Sequence, residues 1–129
     1  MNGPSLSFAA VREDAAAILS LVWERLAVAP ECIDDPWRLG VFGSVDEQEH
    51  CALRTVVLRH VDPGLRQLVF HTDRRSPKLA QLARRPQGAW LFYDPIERVQ
   101  LRITGPTTIH TEDACADARW QATSLEGRR

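Results

Sequence analysis

The chain lacks an excess of either charge. Its 16 Lys and Arg offset 17 Asp and Glu, leaving a formal charge of −1. Nothing global draws it toward nucleic acid or a membrane surface, so an anion site must come from local placement of basic residues. Cysteine is scarce. Cys32, Cys51 and Cys115 are odd in number, widely spaced, and form no CxxC pair. That argues against a disulfide framework and against a Cys-rich zinc site. His50, His60, His71 and His110 lack zinc-ligand spacing, so no metal is expected. There is no GxSxG, no Walker loop and no GxGxxG. No apolar run approaches membrane-spanning length. The N-terminus has no basic n-region, and Arg12, Glu13 and Asp14 interrupt its apolar residues, so it does not read as a secretory signal. Cytoplasm is the expected location.

What is present fits one globular domain over residues 1–129, with 44% hydrophobic and 26% charged residues. Phe8, Val11, Ala15, Ile18, Val22 and Leu26 recur at steps of three or four, which predicts an amphipathic helix over Phe8–Val28. Pro30 ends it. Trp37–Val45 reads as a weak strand and Cys51–Val61 as a strand rich in Val and Leu. Asp62-Pro63-Gly64 is a turn signal, and Gln67–Thr72 completes a hairpin. Ser76–Arg85 reads as a short helix, with Ser76 as cap, Pro77 at its first position and Pro86 as its stop. Gly88–Tyr93 and Arg98–Thr104 are further strands about the turn Asp94-Pro95. Thr111 opens a last helix toward Gln121. Five strands linked largely by hairpins, with flanking helices, point to an antiparallel barrel or sandwich.

Three segments carry chemistry. His71-Thr72-Asp73-Arg74-Arg75-Ser76-Pro77-Lys78 leaves a strand and enters a helix N-terminus. Free backbone N–H groups and the helix dipole favour a phosphate there. A solvated basic turn is the plain alternative. In Arg54-Thr55-Val56-Val57-Leu58-Arg59, alternation sends Arg54 and Arg59 to opposite faces. Either could sit at a barrel rim without a ligand. In the segment Arg98–Thr104, Arg98, Gln100, Arg102 and Thr104 form a polar face opposite Val99, Leu101 and Ile103. That face is either solvated or a wall for a flat heteroaromatic ligand. Trp23, Trp37, Trp90 and Trp120 read as core or interface residues.

The run "RTVVLR", "VFHTD", "RSPK", "ERVQLRITG", over about Arg54 to Gly105, resembles the FMN-binding half of the pyridoxamine 5'-phosphate oxidase-like split-barrel family. The resemblance implies a mainly β fold: an antiparallel, Greek-key split barrel with an N-terminal helix and a short helix after the third strand. It implies FMN as cofactor. The Arg54, Thr55, Val56, Val57, Leu58 and Arg59 stretch would line the flavin. His71 and Thr72 take the place of the family's aromatic-Thr pair, an imidazole replacing a phenol. Ser76, Pro77 and Lys78 fall on its Ser-Arg-Lys phosphate motif, where Arg75 or Arg74 would replace the missing arginine. Gln100 falls on its flavin-contacting glutamine. The family arrangement is a homodimer with FMN at the subunit interface. Distant split-barrel relatives use deazaflavin or haem instead.

The family's C-terminal region is expected to be short or absent here. Its substrate residues find no convincing match, and Arg119, Arg128 and Arg129 are at most remnants. Two readings follow: an FMN-dependent oxidoreductase with an unknown small-molecule substrate, or a flavin-binding module without turnover (a carrier, sensor or degenerate homologue). A nucleic-acid binder using Arg74, Arg75, Lys78, Arg84 and Arg85 is disfavoured by the charge balance.

Overall fold

Asp14 divides the helix that the spacing predicts over Phe8–Val28. Its carboxylate accepts from the Ala17 N–H at 3.1 Å and caps α2 (Ala15–Val28), leaving α1 (Phe8–Val11) as a separate turn capped by Ser7. Aspartate competes with the helical backbone and favours caps over interiors, so it starts a helix here rather than continuing one. The computed structural model describes residues 7–72, 77–110 and 125–128. The helix expected from Thr111 lies outside them.

The strands are β1 (Leu39–Val45), β2 (Cys51–Val57), β3 (His60–Asp62), β4 (Gln67–Phe70), β5 (Gln87–Asp94), β6 (Val99–Ile109) and β7 (Leu125–Arg128), with α3 (Pro77–Arg84) between β4 and β5. They form one seven-stranded sheet in the order β2-β1-β5-β6-β7-β4-β3, and the pairings are antiparallel. The sequence suggested five strands. The run Cys51–Val61 divides because it changes partner: the Leu58 N–H still donates to Arg38 O, whereas the Arg59 N–H donates to Val69 O, each at 2.8 Å. β6 does the same. It pairs with β5 as far as Pro106 and with β7 from Thr107. Gly105-Pro106 marks that crossing, and Pro106 has no N–H to offer either ladder. The two crossings fold the sheet into facing halves. Among the described residues β2 and β3 end the strand order without pairing to each other, so the sheet is not closed there. The fold is the antiparallel split barrel with flanking helices that the resemblance implied.

Aromatic rings fill the space between the halves. Phe42 lies 4.8 Å from Phe70 and 5.7 Å from Trp90 by ring centroid, and Trp90 stacks on Phe92 at 5.2 Å. Trp23 and Trp37 are buried with them, as expected of core tryptophans. Gly88 must be glycine for this packing. A Cβ there would stand 2.5 Å from Phe42 Cζ and 2.8 Å from Thr107 Oγ1.

Three hairpins share one device. An aspartate opens the turn and accepts backbone N–H groups, and a left-handed residue closes it. Asp46 accepts from Gln48 and His50, Asp62 from Leu65, and Asp94 from Ile96 and Glu97. Glu49, Arg66 and Arg98 have φ of 67°, 57° and 59°. Short aspartate side chains that mimic a turn carbonyl explain this placement. Helix α2 is pinned to the last of these turns. Arg25 binds Glu97 and lies 3.9 Å from Asp94, while Glu97 also accepts from the Phe8 N–H at 2.9 Å.

Candidate flavin site

Arg54 lies on β2, whereas Arg59 falls beyond its end. Arg54 shares the inward side with buried Val56 and Leu58. Thr55 and Arg59 are exposed and Val57 is half-buried. Arg54 enters a small polar cluster beneath α3. It donates to Ser44 Oγ at 2.9 Å, to Gln81 Oε1 at 3.3 Å and to Phe42 O at 3.4 Å. Ser44 in turn donates to Gln81 Oε1 at 2.9 Å. Ser44 and Gln81 are 5% and 9% exposed. Burial lowers the Arg54 pKa from its usual value, the charged form losing solvation. Among the described residues no carboxylate pairs with it.

The loop after β4 begins with exposed His71 and half-buried Thr72. Arg74, Arg75 and Ser76 lie outside the described residues, and so does the Lys78 side chain. Lys78 itself stands in the first turn of α3. At the other end of that helix, Arg84 donates to Asp46 O at 3.2 Å and Arg85 pairs with Glu49. Both arginines thus hold the β1–β2 turn against α3, and the basic set suggested for nucleic acid loses two members to that role.

Gln100 faces the other way. Val99, Leu101 and Ile103 turn inward, while Arg98, Gln100, Arg102 and Thr104 are all exposed. Gln100 stands opposite Tyr93. Arg54 and Gln100 are therefore on opposite sides of the same half-sheet, with β1 and β5 between their strands. Three strand steps make about 14 Å at roughly 4.8 Å each. One chain does not bring these two residues together.

The side that bears Gln100 also exposes large apolar residues beside Arg102 and Thr104. Leu53, Leu39 and Tyr93 are 70%, 52% and 51% exposed. A groove of about 320 Å³ runs across it, walled by Gly43, Val45, Cys51, Leu53, Ala89 and Thr104 among others. Clustered exposed apolar residues are a feature common to interaction surfaces.

Ser44 and Gln81 were not singled out from the sequence. Ser44 carried a signal: period-two spacing places it on the side of Phe42, where a polar residue needs a partner. Gln81 had none, because nothing local shows which sheet residue its helix meets.

A half-buried guanidinium that meets only neutral acceptors among the described residues is chemically suited to an anionic group such as a phosphate. The sequence model of the pyridoxamine 5'-phosphate oxidase, FMN-binding domain family matches residues 28–111. The chain belongs to this family. No curated protein matches it. Among solved structures, it is similar to a pyridoxamine 5'-phosphate oxidase-related, FMN binding protein from Nostoc punctiforme PCC 73102, at 25% identity and TM-score 0.64, over 79% of this chain and 52% of that one. It is also similar to PhzG from Burkholderia lata 383, solved in complex with tetrahydrophenazine-1-carboxylic acid, at 18% identity and TM-score 0.67, over 93% and 58% of the two chains. A heme binding protein from Mycobacterium smegmatis shares the fold at 13% identity and TM-score 0.57, over 81% and 50%. The chain thus spans about half the length of the Nostoc protein. The latter two similarities speak to fold alone. Among the described residues no helix is long and apolar enough to cross a membrane.

Proposed function

We propose that this chain is a homodimeric, cytoplasmic flavoprotein that binds FMN at the subunit interface and acts as an FMN-dependent oxidoreductase on a small molecule. The observation that carries the reading is Arg54: half-buried, desolvated, and among neutral acceptors on the strand that the family resemblance assigns to the cofactor. Arg54, Arg75, Ser76 and Lys78 hold the phosphate. Residues 54–59, with His71 and Thr72, line the remainder of the cofactor. Gln100 offers its amide to the ring. Its separation from Arg54 within one chain supports a site assembled from two copies, and the exposed Leu39, Leu53 and Tyr93 supply apolar surface for that association. Bound FMN supplies hydride transfer to and from its ring. The side chains fix the phosphate, orient the ring and exclude water.

The test is anaerobic mixing of the FMN-loaded protein with NADH or NADPH, and with candidate reduced substrates, in stopped flow. Rapid bleaching of the flavin bands is the expected result. Bound FMN that no donor reduces would overturn the oxidoreductase assignment and leave a binding module. Failure to bind FMN would overturn both.

A further inference from the structure

Arginine can only donate hydrogen bonds, so the oxygen of the Gln81 amide must face Arg54 and Ser44. A carboxylate at position 81 would make the more usual partner for a desolvated guanidinium, and it would cancel the charge. An amide gives the same acceptor without cancelling it. Ser44 closes the arrangement: its oxygen accepts from Arg54 at 2.9 Å and its hydrogen goes to Gln81 at 2.9 Å. Three side chains from β1, β2 and α3 thus fix a guanidinium in place while leaving its positive charge unmatched among the described residues. Holding a helix on a sheet does not require this. An apolar pair would do so without the desolvation cost.

We propose that Gln81 and Ser44 are positioning residues for phosphate recognition. They hold Arg54 beside α3 as a cation with no carboxylate partner among the described residues, and the preference of the site for phosphorylated over unphosphorylated flavin depends on them. The inference rests on the FMN reading above. It also ties α3 to the ligand, because the helix that carries Lys78 carries Gln81 one turn later.

Titration of flavin-free, full-length protein with FMN and with riboflavin, followed by flavin fluorescence, tests this. Gln81→Glu keeps an acceptor oxygen in place but neutralises Arg54. It should melt at or above the wild-type temperature and lose FMN affinity by about tenfold or more, with riboflavin changed by less than about twofold. Ser44→Ala should show a smaller loss of the same kind. Arg54→Ala serves as the reference. If Arg54→Ala loses FMN selectively while Gln81→Glu binds it as wild type does, the positioning role is wrong and the FMN site stands. If Gln81→Glu loses both ligands equally, the residue is merely structural and the proposal fails. If wild type and Arg54→Ala bind FMN and riboflavin alike, the phosphate assignment itself falls, and this inference with it.

Discussion

The Arg54 guanidinium lies 2.9 Å from the Ser44 hydroxyl, reaching across the β1–β2 ladder on the inward side of the sheet. The contact places a cation where apolar packing would otherwise continue from Phe42 and Val56. A buried or half-buried charge is costly unless something offsets it. Here the offset among the described residues is polar but neutral, which is the arrangement an anionic ligand would complete.

Removing Arg54 should therefore weaken FMN far more than riboflavin. Arg54→Ala is expected to cost about 1.5–3 kcal/mol of FMN binding, the range for hydrogen bonds to charged groups. Isothermal titration with the two flavins measures the difference. Equal losses would place Arg54 away from the phosphate.

Lys78 and Gln100 should divide in the same experiment. Lys78→Ala should weaken FMN much more than riboflavin, because in the proposed site it removes a charge partner of the phosphate alone. Gln100→Ala should weaken both, since in the proposed site the amide acts at the ring. Unchanged riboflavin affinity in Gln100→Ala would contradict the ring assignment.

The exposed apolar face makes a prediction about assembly. Leu53 is the most exposed of its large residues, at 70%. Leu53→Asp should leave the fold intact and convert the proposed dimer to monomer, as read by sedimentation velocity. FMN affinity should fall with it, because the proposed site draws on both copies. A dimer that survives the charge would move the interface elsewhere.

Two stability predictions follow from packing. Gly88→Ala forces a methyl group against Phe42 and Thr107, and should destabilise the fold by about 1–3 kcal/mol in a chemical melt. Asp94→Ala removes the acceptor for the Ile96 and Glu97 N–H groups and a neighbour of Arg25, and should cost about 1–3 kcal/mol. An unchanged midpoint in either variant would contradict the corresponding contact.

Features written locally were legible in the sequence. Pro77 and Pro86 bracket the short helix, observed as Pro77–Arg84, and Asp62-Pro63-Gly64 and Asp94-Pro95 mark real hairpins. Alternation correctly put Val56 on the buried side and Thr55 on the exposed side of β2. What escaped depends on distant partners. The break after Val57 exists because Leu58 bonds to Arg38 while Arg59 bonds to Val69, and neither partner is visible from the strand itself. The break at Asp14 was local, yet the apolar period on either side of it masked the cap. The motif resemblance identified Arg54, but not Ser44 and Gln81, because they are polar residues whose meaning comes only from meeting it.

The most direct measurement is the visible spectrum of the purified protein, joined to mass spectrometry of the compound released on denaturation. The account predicts flavin absorption bands and the mass of FMN, or the appearance of both after the protein is incubated with FMN and desalted. A haem spectrum, or riboflavin retained in preference to FMN, would contradict it.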